Sequence, residues 1–259
     1  SLADVLKQNK GQPLPLKDVL TYLKAICSAL GYAHVNGVIH CDVKPGNILI
    51  DQGGGVYLTD FGVARHSDSD ATTLGMAGTP AYMAPEQILD KPVTPSTDVY
   101  ALGVMLFEMV TGQRPFRGGS TESSKSGVTI HERVRYEHLH LSPPDPHAIN
   151  SSVSSKLSNV ILKALNKEQF QRYSSTDALF VAVCDAVGIL PSDVADRVPL
   201  HLSVSSYIPP PTAMSESLPP QNSKPNKSSL ISKSRFLIVG GVLISLLLFC
   251  ALAFAGIRF

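Results

Sequence analysis

One stretch of the chain, residues 40–62, restricts the possible folds more than any other part of the sequence. Two apolar segments, 48–50 and 56–59, predict short β-strands on either side of a glycine-rich turn. A hairpin brings the two ends of its strands together, so Asn47 before the first strand and Asp60 after the second should lie side by side. Amide and carboxylate oxygens are ligands that Mg²⁺ prefers. The hairpin therefore predicts a site where such an ion could be held.

The glycines of this turn, residues 53–55, have a second interpretation. A glycine-rich loop can cradle phosphate groups, but such a cradle needs the amino terminus of a helix directly after it. The glycines here lie between two strands. A hairpin turn is therefore the favoured interpretation.

Three motifs in a fixed order carry a resemblance to a known family. Residues 40–47 read HCDVKPGN, residues 60–62 read DFG, and residues 78–86 read GTPAYMAPE. They resemble the catalytic loop, the metal-binding turn and the activation segment of protein kinases. The resemblance covers residues 1–188. It implies an α+β, mainly helical fold that corresponds to the large lobe of a kinase.

The resemblance implies chemical roles for residues of the first two motifs. Asp42 would orient the hydroxyl group of a substrate and accept its proton, and Lys44 would face the transferred phosphoryl group. Asn47 and Asp60 would bind Mg²⁺, and Leu49 would meet the adenine of ATP. The implied cofactors are ATP and Mg²⁺.

The activation segment implies further roles. In serine/threonine kinases, a threonine at the position of Thr79 hydrogen-bonds toward the catalytic aspartate and lysine. A lysine two positions after the aspartate, here Lys44, is itself the serine/threonine pattern, so the implied substrates are Ser and Thr hydroxyls of proteins. Thr72 and Thr73 lie where activation loops are phosphorylated in similar kinases. The alternative is that both are ordinary loop threonines.

Structural roles are implied for residues farther along the chain. Glu86 would pair with Arg172, although two separate surface charges are the common alternative. Asp98 would hold the backbone of the catalytic loop, or it would simply cap a helix. The other structural residues that the resemblance implies are His40, Phe61 and Gly62.

Cys41 departs from the pattern of the family. Most relatives carry an arginine before the catalytic aspartate, and this arginine pairs with the phosphorylated activation loop. A thiol supplies no such positive charge. We therefore expect the activity to depend little on phosphorylation of this loop.

Apolar residues recur at helical spacing in several segments. This periodicity predicts helices over 16–36, 154–165 and 175–187. Segment 99–110 is apolar on nearly all sides, which predicts a helix buried within the lobe.

The sequence also predicts the surroundings of this buried helix. Ser96 or Thr97 should cap its start, and Gly112 lies just beyond its end. The polar, glycine-rich segment 117–127 predicts a flexible surface loop. His131, His138, His140 and His147 do not have the spacing of a zinc site, so they are interpreted as surface residues.

Composition restricts the partners. The chain has 259 residues and a net charge of +1, which does not indicate a nucleic-acid-binding protein. Its four cysteines are scattered without a CxxC pair, which indicates a reducing compartment rather than a disulfide framework.

The amino-terminal part lacks motifs that a complete kinase should have. The 39 residues before His40 contain neither a glycine-rich phosphate loop nor a strand lysine of the small lobe. We expect the sequence to be truncated at its amino terminus. We also expect these 259 residues alone to be inactive and to fold poorly, because Leu49 and Phe61 would face water.

The carboxy-terminal part changes in character. Proline and serine are frequent in 189–235, which predicts a disordered tether. Segment 236–257 contains 22 uncharged residues, enough for a helix of about 33 Å against a hydrocarbon core of about 30 Å. A transmembrane helix is predicted, and a buried core helix is the alternative.

The charges that flank this segment predict its orientation. Cations are more numerous before it than after it, which indicates a cytoplasmic lobe and an external carboxyl terminus. Gly240 and Gly241 could let a second helix approach closely, which would permit a homodimer.

The whole sequence therefore predicts a membrane-anchored protein serine/threonine kinase of the bacterial, eukaryotic-like type. The alternative is a pseudokinase or a membrane-tethered interaction module without catalytic activity. The intact residues Asp42, Lys44, Asn47 and Asp60 favour the enzyme, whereas Cys41 and the missing small lobe weigh against it.

Overall fold

A computed structural model of the protein describes residues 1–61, 65–66, 80–124 and 129–195. For residues 65, 66 and 123 only the backbone is described. All of these residues belong to one compact unit, Ser1–Ser203. The predictions for Gly62, Thr72, Thr73 and Thr79 and for segment 236–257 lie outside the described residues.

The core is built around one apolar helix, Pro95–Thr111 (named α4 in chain order). Fifteen of its residues are buried, as its composition predicts. Its start differs from the prediction. Thr94, not Ser96 or Thr97, is the N-cap residue, and the hydroxyl group of Thr97 accepts a hydrogen bond from the Thr94 amide instead.

Gly112 ends α4 in the left-handed conformation, with a φ of 74°. A side chain at this position would overlap the backbone of Gly11 and Gln12. Glycine is therefore required both by the backbone angle and by the close approach of the loop before Leu14.

A second long helix, α2 (Leu16–Val35), leads into the catalytic loop. Its apolar stripe, which includes Leu23, Ile26 and Leu30, is fully buried. The stripe packs against α4 and against α9 (Thr176–Val187), the last α-helix among the described residues. This contact places the end of α2 beside the start of α4.

The other helices complete the helical layer, and their bounds are close to the predictions where predictions exist. Helix α8 (Ser155–Ala164) packs between α4 and α9. The remaining helices are α1 (Leu2–Gln8), α3 (Pro85–Ile88), α5 (Thr121–Ser124), α6 (Ile130–His140) and α7 (Pro146–Ile149). Single 3₁₀ turns cover Pro45–Asn47, Pro80–Tyr82, Gln169–Gln171 and Pro191–Asp193.

The predicted hairpin is confirmed. Strand β2 (Ile48–Ile50) pairs antiparallel with β3 (Val56–Leu58), and Leu49 lies opposite Tyr57. A second pair joins β1 (Val38–Ile39) to β4 (Arg65–His66), also antiparallel. The described part of the chain is thus mainly helical, as predicted, and contains two short sheets, of which only the hairpin was predicted.

Two predictions for the region after α4 are wrong. Residues 117–124 do not form a flexible loop without structure, because α5 lies within them and the carboxylate of Glu137 accepts hydrogen bonds from the amides of Arg117, Gly118 and Ser120. His138 is not a surface residue. It is fully buried between the rings of Tyr100 and Phe116.

Among the helices of the described residues, none combines the length and the apolar composition that a membrane span requires.

Candidate active site

The catalytic loop is held by one buried carboxylate. Asp98, in the first turn of α4, is 1% exposed. Its two oxygens accept hydrogen bonds from the backbone amides of His40 and Cys41, each at 2.9 Å. The Nε2 atom of His34, near the end of α2, lies 2.7 Å from the same carboxylate. The predicted contact between Asp98 and the loop backbone is therefore present, and His34 was not predicted to join it.

The loop backbone turns sharply at Cys41, whose φ is 63°. This left-handed conformation is uncommon for a residue with a side chain. The neighbouring His40 is fully buried, and its Nδ1 atom accepts a hydrogen bond from the Asp42 amide at 3.2 Å. Because Nδ1 is an acceptor, the Nε2 atom of the neutral ring carries the proton and donates to the carbonyl oxygen of Thr59 at 2.9 Å.

Asp42, Lys44 and Asn47 converge at the open side of this loop. The Lys44 Nζ atom is 2.7 Å from Asp42 Oδ2, and the Asn47 amide nitrogen is 3.0 Å from the same oxygen. The Asp42 and Lys44 side chains are 33% and 32% exposed. The carboxylate is thus oriented by two donors and is still accessible to a substrate from solvent.

The hairpin brings Asp60 next to this group, as predicted. The backbone amide and the hydroxyl group of Thr59 both bond to the carbonyl oxygen of Asn47, at 2.9 and 3.2 Å. The following residue, Asp60, is exposed and adopts a left-handed φ of 63°. Phe61 then packs against the ring of His40 in a tilted arrangement, with 4.5 Å between the ring centres.

The oxygen atoms at the base of the hairpin fit a hard cation. The Asn47 amide nitrogen donates to the backbone oxygen and to the carboxylate of Asp42, so its amide oxygen is the atom that could face an ion. Together with the Asp60 carboxylate, it would hold Mg²⁺, which commonly takes one or two protein ligands and completes its shell with phosphate and water. The described part of the chain contains no cluster of three or more His, Cys, Asp or Glu side chains suited to a metal.

A buried ion pair anchors the helix that follows the third motif. Glu86, at the start of α3, forms a two-pronged ion pair with Arg172, with distances of 2.7 and 2.9 Å. Both side chains are almost fully buried. The remaining guanidinium hydrogens donate to the backbone oxygens of Ser96, Asn166 and Lys167. All five N–H groups of Arg172 are thus used, and the predicted pair is present.

Two groups near this ion pair have altered acidity. Burial raises the pKa of Tyr100, whose ring lies 4.8 Å below the Arg172 guanidinium carbon. Burial lowers the pKa of Lys167 to about 7, and the charge of Arg172 adds to this effect. Lys167 lies over the ring of Phe116, at 4.2 Å.

Leu49 and Phe61, the residues implied to meet the adenine and the small lobe, are 45% and 40% exposed. The structure therefore shows both side chains facing solvent, as predicted. The chemical roles assigned to individual residues remain predictions, because the contacts show positions and not function.

Sequence reasoning missed three residues at this site. His34 contacts Asp98, Gln87 contacts the backbone of Cys41, and Thr97 donates to Glu86 at 2.8 Å. A helical position on the side of α2 that faces the core was the only available signal for His34. The sequence held no signal for Gln87 and Thr97, because the packing of α3 and α4 determines which groups they contact.

Comparison with known proteins identifies the family. Residues 1–182 match the protein kinase domain family. The serine/threonine-protein kinase PrkC of Bacillus subtilis is 38% identical over 167 residues, which cover 64% of this chain and 24% of that protein. The serine/threonine-protein kinase PknB of Mycobacterium leprae is 37% identical over 166 residues, which cover 63% and 25%.

A further relative, the probable serine/threonine-protein kinase PknB of Lactococcus lactis, is 34% identical over 188 residues, or 71% of this chain and 28% of that protein. The chain thus spans about a quarter of the length of these curated relatives. Protein kinases use ATP and Mg²⁺, which confirms the predicted cofactors at the level of the family. The family match, the order of the three motifs and the geometry around Asp42 agree, and the chain belongs to the protein kinase family.

Proposed function

We propose that this protein transfers the γ-phosphate of ATP to serine and threonine hydroxyls of other proteins. The observation that carries the proposal is the geometry at Asp42, whose accessible carboxylate is held by Lys44 and Asn47 beside Asp60. The names of the relatives support the choice of Ser and Thr as acceptors. Lys44, two positions after the aspartate, also follows the serine/threonine pattern.

Four residues of this site would have separate roles in the transfer reaction. The Asp42 carboxylate would accept the proton of the attacking hydroxyl and align its oxygen with phosphorus. The Lys44 ammonium would stabilise negative charge on the transferred group. Asn47 and Asp60 would hold Mg²⁺, whose positive charge would offset the negative charge on the phosphate oxygens.

The structural contacts support this division. Asp98 and His40 fix the backbone that leads into Asp42, so the carboxylate loses little conformational entropy when it is oriented for the reaction. Both anchors are buried and therefore shielded from competing water. The exposed face of the loop remains open to the substrate.

The test is a phosphorylation assay on the protein expressed from its complete gene, with radiolabelled ATP, Mg²⁺ and myelin basic protein as the acceptor. We expect label on serine or threonine, identified by mass spectrometry. Asp42→Asn should reduce the rate by about 10² to 10⁴-fold, the usual contribution of a positioned base.

The matched control is Asp18→Asn, which removes an exposed carboxylate in the first turn of α2. Its rate should stay within about twofold of wild type, since surface substitutions rarely perturb a distant site. Undiminished transfer by Asp42→Asn would contradict the proposed role of Asp42. Absence of transfer by the wild-type protein would favour a pseudokinase that serves as an interaction module.

We also propose that residues 236–257 anchor the protein in a membrane, with the kinase lobe in the cytoplasm. The length and the uncharged composition of this segment support the proposal, as does the excess of cations before it. A homodimer through Gly240 and Gly241 is part of the same proposal.

The anchor can be tested by fractionating cells that express the complete gene and washing the membranes with sodium carbonate. The wild-type protein should stay in the pellet. A variant with Leu246→Arg and Leu247→Arg should shift toward the soluble fraction, because charges at the centre of a span are costly. Equal distribution of the two proteins would refute the anchor.

A further inference from the structure

Gln87, the residue after Glu86 in α3, contacts the backbone of the catalytic loop. Its side-chain nitrogen Nε2 donates to the carbonyl oxygen of Cys41 at 2.7 Å, and its oxygen Oε1 accepts from the amide of Ala84 at 3.0 Å. The orientation of the side-chain amide follows from its partners. A backbone N–H can only face the oxygen, and a backbone carbonyl can only face the nitrogen.

The contacted carbonyl belongs to the peptide group that enters Asp42. The carbonyl oxygen of this peptide group is bound by Gln87, and its N–H, on Asp42, is bound by the Nδ1 atom of His40. Both ends of one peptide plane are therefore fixed by side chains. The direction in which the Asp42 side chain leaves the backbone depends on the orientation of this plane.

The backbone before this peptide needs such support. Cys41 adopts a φ of 63°, a conformation that costs roughly 1 kcal/mol or more for a residue with a Cβ atom. Asp98 holds the amide of Cys41 and Gln87 holds its carbonyl oxygen. The two contacts reach the same residue from different helices, α4 and α3.

Helix α3 is itself a firm base for the contact. Glu86 is joined to Arg172 and to Thr97, and the Gln87 side chain closes the amino-terminal end of α3 through Ala84. The helix directly follows the segment 78–84 of the third motif. Gln87 thus connects the end of that segment to the backbone of the catalytic loop.

We propose that Gln87 is a positioning residue, which aligns the Asp42 carboxylate with the substrate through the hydrogen bond to the Cys41 carbonyl. The inference rests on the proposed kinase activity. It assigns Gln87 no contact with ATP, metal or substrate. Its loss should therefore change the rate of the chemical step and leave nucleotide binding nearly intact.

The decisive variant is Gln87→Glu, studied in the protein expressed from its complete gene. The glutamate keeps an acceptor for the Ala84 amide but replaces the donor to Cys41 by a second acceptor. We expect kcat to fall roughly tenfold, or about 1.4 kcal/mol, because the Asp42 carboxylate would be less well aligned with the attacking hydroxyl. The KM for ATP should stay within about twofold of wild type.

The chain offers a matched control in Gln169. Its side-chain amide makes the same two kinds of contact, accepting from the hydroxyl group of Thr94 and donating to the carbonyl oxygen of Pro92 at 3.0 Å. Gln169→Glu therefore imposes the same chemical change at a site away from the catalytic loop. It should lower the thermal midpoint about as much as Gln87→Glu does, with kcat unchanged within about twofold.

Equal kcat values for Gln87→Glu and Gln169→Glu, beside an active wild type, would overturn the inference and leave the proposed function standing. An inactive wild type would instead overturn the proposed function. If Gln87→Glu does not fold, Gln87→Met provides the test, because it removes the hydrogen bond without adding charge. The same tenfold fall in kcat is expected, and a wild-type kcat for this variant would also overturn the inference.

Discussion

Two loops of this domain are held in the same way, yet only one of them presents a candidate active site. Asp98 on α4 binds the amides of His40 and Cys41, and Glu137 on α6 binds three amides in the loop after Phe116. Both carboxylates are buried. A buried carboxylate that accepts backbone N–H groups therefore identifies a fixed loop and not a function.

The difference lies in what each loop presents to solvent. The loop at Asp98 carries Asp42 and Lys44 side by side, each about one-third exposed, and the hairpin adds Asp60. The loop at Glu137 continues into a single helical turn, Thr121–Ser124. The anchoring carboxylates are equivalent in structure, and the functional distinction comes from the residues that they position.

A third buried carboxylate, that of Glu86, differs from these two because the guanidinium of Arg172, and not backbone amides, pairs with it. Arg172→Met should lower the free energy of unfolding by about 3–5 kcal/mol, since it leaves Glu86 buried without its partner. Pulse proteolysis in urea would measure this. The double variant Glu86→Gln/Arg172→Met should recover part of the loss. Equal losses for the single and double variants would show that the unpaired charge is not the cause.

Asp98→Asn tests the loop that carries Asp42. Of the three groups that face this side chain, either the Cys41 amide or both the His40 amide and the His34 ring would then meet an NH₂ group instead of an oxygen. We expect the free energy of unfolding to fall by about 3 kcal/mol. We also expect kcat to fall roughly 100-fold, which corresponds to about 2.7 kcal/mol.

Glu137→Gln is the matching change in the other loop. It should lower the free energy of unfolding by about 2 kcal/mol, because a buried amide loses its acceptor. The kcat value should stay within about twofold of wild type. A fall in kcat as large as that of Asp98→Asn would contradict the distinction between the two loops.

The pH dependence of stability provides the smallest effect. Burial lowers the pKa of His138, the neighbour of Glu137, to about 3, and the charge of Lys167 adds to this. The unfolded chain, with an ordinary pKa of about 6.5, binds a proton below that pH and the folded chain does not. The stability contribution is complete above about pH 6.5 and is lost as the pH falls toward 3.

His138→Gln should therefore reduce the loss of stability on acidification, by up to about 1.4 kcal/mol per pH unit between pH 6 and 4. Urea unfolding at a series of pH values would measure the slope. His131→Gln, at an exposed position of the same helix, should keep the wild-type slope. The same slope for His138→Gln would mean that the buried ring does become protonated in the folded state.

Local patterns predicted much of the fold. Helices α2, α8 and α9 and the hairpin were recognised to within a few residues, because their apolar periodicity reflects one buried face. Helix α6 was missed, since its sequence is mainly polar and only three of its residues are buried. His138 was misplaced because its burial depends on two rings from other parts of the chain, one on α4 and one at Phe116.

The sequence alone determined the order of the motifs and the hairpin that joins Asn47 to Asp60, because these contacts span few residues and follow from strand pairing. The tertiary structure decided which distant groups hold the catalytic loop. Asp98 and Gln87 contact this loop across 58 and 46 residues of chain, and Arg172 holds α3 through Glu86 across 86 residues. Such hydrogen bonds depend on how helices pack, and the pattern of a single segment does not contain that information.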